Sequence, residues 1–262
     1  MSTLVQRVQH QAGRAVLDAL AAVGRFAALM VELVRGLPEW RVWVPRAFDE
    51  AWNIGIGSLF IVLLIASFAG AVTALQAGYQ FTGSIPIYVV GSLVVESVVL
   101  ELGPVLVGLI LAGRIGAAYA AELGTMRVTE QIDALESLGR SPASYLLIPR
   151  VMACLLMIPV LVIFADVVAV LAGWVAAKQA LPITDQDFAY GARIFWRPFD
   201  ATYSITKAFF FAAAISLISC YRGYTTKQGA EGVGKSTTGA VVTSSVLILL
   251  LDTVLAKLLL KA

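Results

Sequence analysis

Residues 101–139 read ELGPVLVGLILAGRIGAAYAAELGTMRVTEQIDALESLG, and the character of the chain changes halfway along them. The first half is apolar enough for a membrane. It holds Glu101 and Pro104, and its Gly108, Ala112 and Gly116 recur every four residues, a ladder of small side chains that lets another helix approach closely in lipid. After Gly124 the pattern turns amphipathic. Val128, Ile132 and Leu135 follow i, i+4, i+7, while Glu130, Asp133 and Glu136 fill another face and Gly139 supplies a stop. A polar helix over 126–138, hung directly on a span, is built to touch something.

The 262 residues are 59% hydrophobic and 14% charged, against about a quarter charged in a soluble domain, which makes the chain an integral membrane protein. At about 20 apolar residues per span, its length allows five or six helices and no separate soluble domain. The net charge of +2 gives no case for nucleic acid. Cys154 and Cys220 lie far apart in apolar sequence without metal-ligand spacing, so both are expected to pack. The lone His10 supports no histidine chemistry. Arg7, Arg14 and Arg25 interrupt the amino-terminal apolar residues, so no cleavable signal is expected there.

Residues 1–50 form an amino-terminal region. Within it Arg7, Gln11, Arg14, Asp18, Arg25 and Glu32 recur at helical spacings over 4–35, a pattern fitting a helix in the membrane interface or one packed on a partner. The following GLPEWRVWVPRAF has the Trp and Arg content of headgroup level. The transmembrane domain, 51–262, divides into spans at about 53–77, 87–115, 151–177, 203–221 and 238–258, with an exposed loop at 178–200. In the first span Ala66, Gly70, Ala74 and Gly78 repeat every four residues, as either a homodimer seam or an intrachain contact would use them. The fold class is all-α: an interfacial amphipathic helix, about five transmembrane helices and a cytoplasmic helix.

Four acids fall within spans. Each costs about 2.5–3.5 kcal/mol at bilayer depth, so each needs a cavity, a partner or protein interior. Glu96 and Glu101 are expected either to line a substrate cavity or to bond a neighbouring helix; Asp166 and Asp252 read as helix-packing hydrogen-bonders. Counting Lys and Arg by loop puts thirteen on the side of the amino terminus and the 126–138 helix and six, Lys207 among them, on the other. The positive-inside rule then makes the amino terminus cytoplasmic and the carboxyl terminus external.

Residues 229–236, GAEGVGKS, spell GxxxxGK[ST]. A phosphate loop needs a strand entering and a soluble helix leaving. Here one span enters and another leaves, so the glycines are expected to turn a tight loop and no nucleotide site is read from them. No nucleophile–base pair or metal cluster appears either, and the chain is expected not to be an enzyme.

The 101–139 stretch is similar, nearly position by position, to the hallmark region of the MlaE (YrbE) permease family, membrane subunits of lipid-transporting ABC systems. Leu75-Gln76, Pro149-Arg150 and GVGKSTTGAVVTSS over 232–245 also resemble family positions, extending the likeness over most of 40–260. Separately, DALESLGRSP over 133–142 followed by Ile148-Pro149 resembles the ATPase-docking loop of ABC importers, with Asp133 where that motif has Glu.

The resemblance implies a homodimer in the inner membrane of a Gram-negative bacterium, bound to cytoplasmic ABC ATPase subunits that hold ATP and Mg while this chain binds no cofactor. It further implies a STAS-domain protein on the ATPase, a periplasmic MCE-domain hexamer and phospholipid as cargo. Coupling to the ATPase falls on Arg127, Glu130, Gln131, Asp133, Leu135 and Glu136. A lipid cavity formed at the dimer interface by the first, second and fifth spans implies Leu75, Tyr79, Leu93, Val94, Glu96 and Glu101 as lining, with Gly70, Ala74, Gly108, Ala112 and Gly116 as packing positions. A proton-coupled secondary transporter relaying through the intramembrane acids is the alternative, though no inverted repeat accompanies it.

Overall fold

A computed structural model of the chain describes residues 2–80, 86–227 and 229–260, with side chains omitted at 2–16, 18 and 19. The side chains of Arg7, His10, Gln11, Arg14 and Asp18, and residues 81–85 of the turn between the first two spans, lie outside this description. Among the described residues the regular structure is helical throughout.

An amino-terminal helix, Ser2–Gly36, precedes five helices long and apolar enough to cross a membrane: Trp40–Gln80, Val89–Val128, Ala143–Ala180, Pro198–Tyr224 and Gly229–Leu259. Two short helices connect them at opposite ends, Gln131–Ser137 at what we call the near end and Asp185–Ile194 at the far end. The first span starts at Trp40, so the Trp- and Arg-rich segment is already helical and continuous with the apolar run.

Small residues decide which helices touch. A Cβ on Gly70 would stand 1.9 Å from the carbonyl oxygen of Ala169, and one on Gly173 would stand 3.0 Å from that of Gly70. The ladder of the first span is therefore an intrachain seam against the third, continued by the buried Ala66, Ala74 and Ala77. The second ladder faces the fourth and fifth spans. Gly108 lies under Phe211 and Ile248, Ala112 is fully buried, and Gly116 meets Ser219.

The second span carries two π-helical turns, Val98–Leu102 and Ala112–Gly116, and a third opens the third span at Ala143–Leu147. Such turns are rare and cluster at functional sites, because the inserted residue loosens the backbone ladder and re-aims side chains. One contains Glu101 and another Arg114.

At the far end, Asp185–Ile194 begins with a capping box between Thr184 and Asp187 and packs on the start of the second span, where Tyr88 and Tyr190 meet edge to face. Lys178 donates to Asp185 at 2.9 Å and holds that exposed carboxyl below its usual range. At the near end, Leu29 and Leu33 of the amino-terminal helix are buried against Leu123, Ile132, Leu147 and Ile148. Leu17, Leu20, Val31 and Val34 remain exposed on the same helix.

Candidate functional site

Inside the bundle, three charges meet. Lys207 is fully buried, with its Nζ 2.7 Å from Glu101 Oε2 and 2.6 Å from Asp252 Oδ1, joining the second, fourth and fifth spans. The ammonium also donates to the carbonyl of Leu100 at 3.0 Å and lies 4.8 Å from the Tyr203 ring. The backbone explains the third bond. Pro104 has no N–H, so the carbonyl four residues earlier, that of Leu100, loses its helical donor, and Lys207 supplies one instead. The Glu-Leu-Gly-Pro sequence thus builds both halves of an ammonium site: a carboxylate, and a carbonyl released by proline.

Lys207 is the residue that the loop-by-loop charge count misplaces, because it lies four residues inside an apolar span and is no loop residue. Arg114 is misplaced for the same reason. Removing both leaves twelve basic residues against five, and the asymmetry stands. The signals that could have found Lys207 are a lone ammonium in an apolar run, two acids needing partners and a proline-freed carbonyl.

Asp166, Glu50 and Glu122 are also engaged, whereas Glu96 has no hydrogen-bond or ion-pair partner among the described residues. Asp166 accepts from Ser204 at 2.9 Å, tying the third span to the fourth. Arg150, buried, donates to Glu122 at 3.0 Å and to the carbonyl of Leu146 at 2.9 Å, with Glu50 at 3.6 Å and the Tyr119 ring at 5.4 Å, which ties the first three spans together toward the near end. Cys154 and Cys220 are free and buried.

Of the predicted cavity lining, Leu75 and Tyr79 are exposed near the far end of the first span, Tyr79 at 86%. Leu93 and Glu96 are partly exposed on the second span, and Glu101 turns 52% of its side chain outward while holding Lys207. Val94 lies in the core, against Gly173.

The near end presents a different surface. The expected single helix over 126–138 is broken: the second span stops at Val128, Glu130 takes a left-handed conformation with φ 58°, and a separate helix runs from Gln131 to Ser137. The break lets Ile132 point into the bundle, where it is fully buried. Leu135 is half-buried beside it, and Val128 is left exposed. Arg127 at the end of the span donates to Asp133 at 2.5 Å, Gln131 donates to Thr129 at 3.0 Å, and Tyr224 donates to Glu136 at 3.3 Å. Glu130, Gln131, Asp133 and Glu136 face outward with Leu138, which is 76% exposed. Among the described residues Glu130 is the one non-glycine in the left-handed region, a strain of roughly 1–2 kcal/mol. Glu130→Gly should raise stability by about 0.5–1 kcal/mol in thermal unfolding, part of the relief being offset by the freer unfolded chain.

The GAEGVGKS letters are helical. Residues 229–236 form the first two turns of the last span, correcting the expected tight loop, and Lys235 turns back to Glu231 at 2.7 Å. The N–H groups of Val233, Gly234, Lys235 and Ser236, which a phosphate loop would aim at the phosphates, lie beyond the first four of this helix and are taken up by its own carbonyls.

These features define a multi-pass α-helical membrane protein with an acidic helix held rigidly at one end of the bundle and an ion cluster inside it. The chain belongs to the MlaE permease family, whose model, described as Permease MlaE, matches residues 47–258. A probable ABC transporter permease protein of Rickettsia prowazekii is 36% identical over 98% of this chain and all of its own. One from Synechocystis is 39% identical over 76% of each chain. The chloroplast protein Trigalactosyldiacylglycerol 1 of Arabidopsis thaliana is 36% identical over 87% of this chain and 64% of its own. The chain is an ABC transporter permease, a membrane subunit of a class that works with a separate ATPase.

Proposed function

We propose that this permease moves phospholipid between the inner membrane of a Gram-negative bacterium and a periplasmic MCE-domain hexamer, as a homodimer driven by cytoplasmic ABC ATPase subunits. The ATPase holds ATP and Mg and carries a STAS-domain protein. The observation that carries this reading is the Gln131–Ser137 helix, pinned through Ile132 and Arg127 so that Glu130, Gln131, Asp133 and Glu136 form one rigid exposed surface. A push on that surface reaches the core directly, since Ile132 packs on Leu123 of the second span and Leu147 of the third.

The corrected charge asymmetry supports a cytoplasmic near end and amino terminus and a periplasmic carboxyl terminus. Lipid as cargo is supported by the plant relative named for trigalactosyldiacylglycerol, a lipid with two acyl chains. It also fits the exposed Leu75 and Tyr79 on a span whose outward stripe includes Phe60, Phe68 and Val72. That stripe suits either lipid or a second copy.

The test is purification of the native complex, with its proteins and lipids identified by mass spectrometry. Two permease copies, an ATPase, an MCE-domain protein, a STAS-domain protein and phospholipid are expected. Transport by the chain alone in a proton gradient, with no ATPase recovered, would overturn the reading in favour of the carboxylate-relay transporter.

A further inference from the structure

Arg114 is an intramembrane cation with no counter-charge. It lies in the π-turn Ala112–Gly116 of the second span, exposed, and its guanidinium donates to the Ser58 hydroxyl of the first span. Among the described residues no carboxylate lies within ion-pair distance of it. A guanidinium carries five donors, and leaving most of them without acceptors at membrane depth is costly.

The surroundings are shaped around it. Gly57 provides a floor without a side chain: a Cβ there would come within 2.9 Å of a guanidinium nitrogen. Gly113 beside it is exposed, with nothing within 4 Å of where its Cβ would stand. The π-turn itself packs on the fourth and fifth spans, so the arginine points out of a wall that the first and fifth spans flank.

Among the described residues, the first, second and fifth spans of a second copy offer no unengaged acid at this level. Of the seven acids on the first, second and fifth spans, Arg150 engages Glu50 and Glu122, Lys207 engages Glu101 and Asp252, and Lys235 engages Glu231. The remaining two are distant. Asp49 lies nine residues from Ser58, about 14 Å along its helix, and Glu96 lies eighteen from Arg114, about 27 Å. An anion that arrives with the membrane is left, and the planar fork of arginine matches the paired oxygens of a phosphate.

We infer that Arg114 binds the phosphate of a phospholipid in the wall formed by the first, second and fifth spans, about 20 Å along the second span from Glu101. The inference rests on the lipid-permease reading and adds to it a phosphate position on the near-end side of the ion cluster. Acyl chains extending from there toward the far end run about 15 Å, half the hydrocarbon thickness, alongside apolar side chains.

The test uses the permease–ATPase complex in phosphatidylcholine nanodiscs doped with photoactivatable phosphatidylglycerol, or with photoactivatable diacylglycerol of the same chains, and maps label on the first and second spans. Arg114→Gln should lower phosphatidylglycerol label about tenfold, the loss of one charge-assisted hydrogen bond, and leave diacylglycerol label unchanged. Arg114→Lys should keep most of it. Gly57→Ala, whose methyl displaces only the end of a flexible side chain, should lower it severalfold.

Equal effects on both lipids would overturn the assignment, as would separation of Arg114→Gln into single permease copies with phosphatidylglycerol label per copy unchanged. If Arg114→Gln fails to fold, undiminished phosphatidylglycerol label in Gly57→Ala overturns it. Wild-type complex labelled by neither lipid sinks the lipid-permease reading itself.

Discussion

Lys207→Met should lower the stability of the folded chain by about 3–5 kcal/mol, the cost of stripping one partner from a buried ion cluster, and should abolish ATP-dependent lipid transfer. Glu101 and Asp252 would then share a space built for three charges, with the Leu100 carbonyl also left without its donor. The triple change Lys207→Met, Glu101→Gln, Asp252→Asn should recover most of that stability, since no charge is left unpaired. It should not recover transfer, because the negative charge that Glu101 presents outward is gone. Thermal unfolding in nanodiscs separates the two: a single variant as stable as wild type contradicts the burial of Lys207.

Arg150→Met should cost about 3 kcal/mol, at the lower end of the same range because Glu122 is half-exposed and partly screened. Its guanidinium bridges Glu50 of the first span and Glu122 of the second from a helix of the third. Arg150→Lys should rescue little, since a point charge cannot reach both carboxylates and the Leu146 carbonyl as a fork does. Adding Glu50→Gln and Glu122→Gln to Arg150→Met should restore part of the loss. Denaturation of the three variants beside wild type measures it.

What the sequence made legible follows its apolar runs. Five spans, the small-residue ladders and the polar helix after Gly124 all stand out by period and composition, because burial in lipid imposes one pattern over twenty residues at a time. Pairings between distant residues were not legible. Lys207 looks like a loop charge until Glu101 and Asp252 are brought to it, and the Gly70 ladder fits a dimer seam as well as it fits Ala169. The break at Glu130 was also hidden, since Thr129-Glu130 carries no glycine or proline to announce a left-handed residue; it follows from seating Ile132 in the core. Val94 was placed by its distance from the span end, and a residue more or less on a helix changes the face by about 100°.

The near-end helix, Gln131–Ser137, is the surface proposed above to receive work from the ATPase. The most direct measurement is lipid-stimulated ATP hydrolysis by the permease reconstituted with its cognate ATPase, comparing wild type with Glu130→Lys, Asp133→Lys. The reversed surface should lose the ATPase on size-exclusion chromatography, or keep it and lose at least tenfold of the lipid stimulation, about 1.4 kcal/mol of coupling. Assembly and lipid-stimulated hydrolysis both unchanged would contradict ATPase docking at Gln131–Ser137.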